Sequence, residues 1–274
     1  YLYDKISFDE RMIAIKGIRG AGKTTLLLQY LKTQNRSTSL YVTADHPWFY
    51  TKNLLETAEE WHKMGGRLLL IDEVHKYKNW SSELKNIYDG FPDMQIIFTA
   101  SSALDIYRGE ADLSRRVLSY SLHGLSFREY LSIHEIAQCK TYSLPDILAN
   151  HRAIVAEIME EITSPLVHFK AYLRHGYLPF GSIKGNEQDY LARVFKIIDA
   201  CLAYDLAFIN DYSAEHQSKI KKLLGILSET VPYIPNTLKL ATQLQIGRNT
   251  LLMLLQHLEQ ASLIHLIHKT GKGF

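Results

Sequence analysis

The stretch GIRGAGKT at residues 17–24 limits this chain more than any other feature. It follows Met12–Lys16, a short apolar run that reads as a strand. It opens residues 24–32, which read as an amphipathic helix with leucines at 26, 27, 28 and 31. A strand, a glycine-rich turn and a helix, in that order, make an anion site. Gly17, Gly20 and Gly22 let the backbone curl with its N–H groups pointing inward. The helix that follows presents its positive end to the same point. At this spacing Lys23 should reach the β and γ phosphates of a nucleotide, and the Thr24 hydroxyl should ligate magnesium. Ile18, Arg19, Ala21 and Thr25 complete the segment expected to line the nucleotide. Arg19 reads equally well as a contact to phosphate, a partner for a neighbouring carboxylate, or a solvated surface residue.

Further apolar runs follow at residues 40–44, 68–71, 95–99 and 117–122, separated by helical stretches at 54–63 and 82–88. Continuous apolar strands spaced by helices imply a parallel sheet covered on both faces. Residues 1–123 therefore read as an α/β domain. The third run ends in Asp72 and Glu73. Ligands of such sheets sit at the carboxyl ends of the strands, so Asp72 should emerge beside the glycine loop and hold hydrated magnesium. Glu73 is then placed to act as general base on a water. That pair favours hydrolysis over phosphoryl transfer to a metabolite. The next run ends in hydroxyls. Thr99, or secondarily Ser101, could position the water or meet the γ-phosphate, and a helix cap by Ser101 or Ser102 is an equal alternative for these hydroxyls. Asp45 could contact the nucleotide site or cap the turn after the second strand, and the cap is preferred; His75 and Lys76 could sense the nucleotide state, and a surface position is preferred.

Residues 124–228 change to a helical pattern, broken near Pro145, Pro165 and 176–185. Residues 229–274 read as helix 238–244, turn 246–247, helix 249–260 and strand 263–268 before a glycine turn. This is the pattern of a winged helix-turn-helix. Arg248, Asn249 and Thr250 open its second helix, but the basic footprint is thin for specific DNA binding. A structural or lid-coupling role is preferred there. With 46% apolar and 22% charged residues the composition is that of a globular protein, and a net charge of +2 calls for neither nucleic acid nor membrane. No apolar run reaches the length of a membrane span. Cys139 and Cys201 read as reduced thiols of a cytoplasmic protein. The chain starts at Tyr1 and shows no export leader, so it reads as a cytoplasmic fragment.

These residues resemble the P-loop ATPases of the AAA+ superfamily, in its additional-strand group. More narrowly they resemble prokaryotic members that join the ATPase core to a winged helix, often with a nuclease-like region beyond. The resemblance is carried by GIRGAGKTTLL, LLLIDEVHKYKNW, FTASSALDI, RRVLSYSLHGLSFREYL and the turn HGYLP at residues 175–179. Ala100 stands where the family usually has glycine. The resemblance implies a P-loop NTPase core, a helical lid region and a winged helix. It also implies ATP and Mg2+ as ligands. Arg116, or its neighbour Arg115, falls at the family's arginine before the fifth strand, which can act as a finger on a γ-phosphate in cis or from a neighbouring subunit. No guanine-reading Asn-Lys-x-Asp segment is present, which favours adenine. The expected activity is Mg-dependent ATP hydrolysis that moves the lid and winged helix. The alternative is an ATP-bound switch, or a DNA-binding regulator with little turnover. A protein partner or a homo-oligomer fits either reading, and a membrane fits neither.

Overall fold

The computed structural model describes residues 2–100, 113, 115–182, 186–205, 214–229 and 234–267. Its centre is a parallel sheet of β1 (Met12–Lys16), β2 (Ser39–Thr43), β3 (Leu68–Asp72), β4 (Gln95–Ala100) and β5 (Leu118–Ser121), in the order β2-β3-β4-β1-β5. The strand β4 lies between β1 and β3. This is the inserted strand that the resemblance implied.

Alternation along the strands sends neighbouring residues to opposite faces. Met12, Ala14, Leu69, Ile71, Ile96 and Phe98 pack with Leu54, Ala58, Trp80, Leu84 and Ile87 of α2 (Leu54–Lys63) and α3 (Trp80–Gly90). Ile13, Ile15, Leu68, Leu70 and Ile97 pack with Leu26, Leu27 and Tyr30 of α1 (Lys23–Thr33). Both faces are therefore dry, which is why the central strands read as unbroken apolar runs. The parity matters for function. Asp72 follows Leu70, and Thr99 follows Ile97, so both belong to the face that carries α1.

The α3 helix starts at Trp80, two residues earlier than its sequence pattern indicated. The turn Pro47–Tyr50 is capped by His46, which accepts from the Trp48 N–H, and not by Asp45.

Two compact units divide the chain. The second comprises Gly20–Gly22 and His123–Lys196. It contains α4 (Phe127–Ile133), α5 (Leu144–Glu161), α6 (Pro165–His175) and most of α7 (Glu187–Ala200). Reciprocal caps start two of these helices, Ser126 with Glu129 and Ser143 with Asp146. Its core is small, built on Tyr130, Leu131, Ala137 and Ile162. The remaining residues form the first unit. After a π-helical turn at Cys201–Asp205 come α8 (Ala214–Glu229), α9 (Thr237–Leu244) and α10 (Arg248–Gln260). Leu240, Leu244, Leu251, Leu254 and Leu258 join α9 and α10 across a tight turn, with Cys201 buried in the same cluster. The strand expected over 263–268 does not form in residues 263–267, and residue 268 onward lies outside the described residues. None of the described helices is long and apolar enough to cross a membrane.

Candidate active site

The glycine loop joins β1 to α1, as its sequence required. Gly20 and Gly22 adopt φ of 81° and 99°, a region that side chains with a Cβ resist. Gly17 has a different reason: a Cβ there would lie 2.2 Å from the carbonyl oxygen of Leu122. Lys23 is buried, at 5% exposure. Its ammonium donates to the carbonyls of Gly17 (2.9 Å) and Ile18 (3.1 Å), so the side chain arches back over the loop. Ile18 and Ala21 are buried, and Thr25 is exposed at the helix start.

Below the loop, Asp72 is the hub. The residue is 4% exposed and ends β3. The Thr24 hydroxyl donates to Asp72 Oδ2 at 2.6 Å. The Tyr41 phenol donates to the same oxygen at 3.1 Å. The Thr99 hydroxyl donates to Oδ1. Burial first, and then the Asp72 carboxylate, push the Tyr41 phenol up to about 12, so it remains a donor at neutral pH. A hydroxyl and a carboxylate oxygen side by side are the hard oxygen ligands that magnesium takes when nucleotide phosphates supply the rest. The residues present thus fit that ion. No cluster of three or more His, Cys, Asp or Glu exists among the described residues, so a cage made of protein alone is not what this site offers.

Glu73 leaves the strand in a left-handed conformation, φ 54° and ψ 39°. For a non-glycine residue this costs on the order of 1–2 kcal/mol. The Glu73 N–H donates to Thr99 Oγ1 at 2.9 Å, which helps to fix the turn. Its Oε2 faces two cations, Lys76 Nζ at 3.1 Å and Arg19 Nη1 at 3.8 Å, and the His75 imidazole, with Nε2 at 3.8 Å. Lys76 is itself anchored on Asp45 at 2.5 Å, and Thr43 donates to the other Asp45 oxygen. Hydrogen bonds from Lys76 and Thr43 hold the Asp45 carboxyl below its usual range.

Several expectations are revised by this geometry. Thr99 is fully buried, with its hydroxyl spent on Asp72 and Glu73, so it supports the acidic pair from behind. His75 is not a surface residue, since its side chain is 4% exposed. Asp45 and Lys76 form an ion pair beside Glu73. Ser101 and Ser102 lie outside the described residues. Arg116 is not brought to the other candidates. It makes a two-pronged pair with Asp89, both contacts at 2.9 Å. Arg116 precedes a strand parallel to β1, and Asp89 ends the helix that returns from β3 to β4. The pair therefore sits at the amino ends of the strands, a sheet's height from the loop. An in-cis finger is excluded by that topology. Arg115 is exposed next to it.

Sequence reading missed Tyr41. A phenol inside a β-strand is ordinary, and only the pairing of Tyr41 with Leu70 puts it on the Asp72 face. A separate cavity of about 170 Å³ lies within the second unit, between Tyr130, His134, His175, Tyr190 and Arg193. It contains none of the residues expected to touch nucleotide.

Comparison with known proteins agrees with this core. An uncharacterized protein of Methanocaldococcus jannaschii is 29% identical over 278 residues, covering 96% of this chain. The chain spans 58% of that relative's length. The Walker-type ATPase of Pyrococcus abyssi has a similar fold, with a TM-score of 0.50 and 11% identity, covering 94% of this chain and 87% of that one. Residues 9–131 match the AAA domain family. With the glycine loop and the β2-β3-β4-β1-β5 order, that match supports an AAA-type P-loop ATPase domain over this part of the chain.

Proposed function

We propose that the chain binds ATP with magnesium at this loop and hydrolyses it. The observation that carries the reading is the 2.6 Å approach of Thr24 and Asp72 beneath the glycine loop, with Glu73 next in the chain. In this reading Lys23 and the loop N–H groups bind the β and γ phosphates. Thr24 and Asp72 would hold magnesium, which offsets phosphate charge when bound. Glu73 accepts a proton from the attacking water. Thr99 keeps Asp72 and Glu73 in place without touching the nucleotide. Arg116 acts, if at all, on the nucleotide of a neighbouring chain. The coupling expected from the sequence, in which nucleotide state moves the helical region, belongs to the same reading. The α9–turn–α10 pair is read as the helix-turn-helix of a winged helix. Arg248 is occupied within it, donating to Thr237 at 3.3 Å, which favours a structural role over DNA contact.

Phosphate release measured in steady state with Mg-ATP tests the reading. Glu73→Gln should lower the rate by about 100-fold or more, while a fluorescent ATP analogue still binds. Equal rates in wild type and Glu73→Gln would remove Glu73 as the base.

One observation favours a second reading, an ATP-held switch with little turnover. Glu73 Oε2 is paired with Lys76 at 3.1 Å and has Arg19 and His75 at 3.8 Å, so this oxygen is taken by protein groups. Retained ATP with negligible phosphate release would identify this case.

A further inference from the structure

Tyr41 has no assigned part in the reading above, yet it touches the centre of the site. Its strand β2 is an edge strand, and Tyr41 lies opposite Leu70 in register. The side chain packs with the cluster that holds Leu26, Leu27 and Leu70, on the face of the sheet that carries α1. From there the phenol reaches Asp72 Oδ2 at 3.1 Å. Asp72 thus accepts hydroxyl donors from three elements: Thr24 of α1, Tyr41 of β2 and Thr99 of β4.

The three donors are not equivalent. Thr24 is the residue expected to turn its oxygen toward a cation. Once it does, Thr99 still holds Oδ1 and Tyr41 still holds Oδ2. A carboxylate fixed at both oxygens keeps its lone pairs aimed in one direction, so little ordering is left to do when an ion arrives. Tyr41 suits this task for two reasons. Its ring is rigid and is seated in apolar side chains, so the hydroxyl is well placed. It is also a neutral donor, which orients the carboxylate without cancelling the negative charge that attracts a cation, as a lysine or arginine would.

We propose that Tyr41 is a positioning residue of the divalent-cation site, orienting Asp72 and thereby setting the affinity for the nucleotide-bound metal. The proposal rests on the ATP–magnesium reading of the loop. Groups that orient a metal ligand typically change metal affinity by about 10- to 100-fold when removed.

The test uses Mn2+ as the probe, titrated by electron paramagnetic resonance into the chain with a non-hydrolysable ATP analogue. Tyr41→Phe should raise the Mn2+ dissociation constant about tenfold. Affinity for the analogue in excess EDTA should stay at the wild-type value, which a merely structural role of Tyr41 would not predict. In an Asp72→Asn background, Tyr41→Phe should add nothing. Tyr41→Leu, which keeps an apolar side chain against the same cluster, should reproduce the loss if Tyr41→Phe lowers Tm. An unchanged Mn2+ constant in Tyr41→Phe overturns the proposal and leaves the nucleotide reading intact. An equal loss of analogue affinity with and without metal also overturns it. If the wild-type chain with analogue binds no Mn2+, the metal reading falls and the proposal falls with it.

Discussion

Thr99 and Lys76 both act on the acidic pair. Thr99 is buried and serves both members, donating to Asp72 and accepting from the Glu73 N–H. Thr99→Val keeps its shape but strands that N–H and loosens Asp72. A buried donor left without a partner costs about 1–3 kcal/mol and this one is partly buried, so the loss should lie at the lower end of that range, with Tm falling in a thermal melt and phosphate release falling with it. Lys76 acts on Glu73 from outside, with its ammonium between Asp45 and Glu73. Partly exposed ion pairs are worth at most about 1 kcal/mol, a factor of about five in rate. On the proposed reading, Lys76→Met should therefore raise kcat several-fold with KM unchanged, because it frees Glu73 Oε2 from its ion pair and leaves the loop as it is. A fall in kcat would mean that Lys76 holds Glu73 in its working position.

Between elements, one carboxylate joins α2 to α3. Glu83 of α3 accepts the Leu54 and Leu55 N–H groups at 2.8 and 3.2 Å, at the start of α2. It also accepts the Tyr77 phenol at 2.8 Å. A negative group at a helix start offsets both the open N–H groups and the helix dipole. Glu83→Ala should cost about 1 kcal/mol, as the loss of a cap does, readable in a denaturant melt. The same pair sets an alkaline limit. Burial, and then Glu83, push the Tyr77 phenol up to about 12. A raised phenol contributes its stability in full below its free pKa of about 10 and loses it as pH climbs toward the folded value. Circular dichroism should show stability declining between about pH 10 and 12, with a shallower decline in Tyr77→Phe.

At the scale of the molecule, the sheet separates what the site needs from what it does not. Lys23, Thr24, Asp72 and Glu73 gather at the carboxyl ends of the strands, while Arg116 is held by Asp89 at the amino ends. A chain acting alone cannot use Arg116 on its own nucleotide. Activity per chain of Arg116→Ala should match wild type at high dilution, and any deficit should appear only as the concentration rises and chains associate. A deficit that persists at all dilutions would contradict this topology.

The sequence by itself determined the strand–loop–helix, the parallel sheet and the acidic pair. Each of these is written in local pattern: glycines where φ must be positive, apolar runs where both faces are covered, carboxylates where a strand ends. The α9 and α10 helices were legible for the same reason, while the strand beyond them was not, since a short half-buried run does not choose between strand and loop without a neighbour to pair with. Only the tertiary structure decided the rest. Which residues meet Asp72 depends on β3 pairing with β2 on one side and with β4 on the other, so Tyr41 and Thr99 became its partners through register, which no single strand carries. Glu73 turned toward Lys76, Arg19 and His75 through a left-handed step that its residue type does not announce. The glycine loop could be read from eight letters because its chemistry is local, whereas the carboxylates below it take their properties from groups tens of residues away.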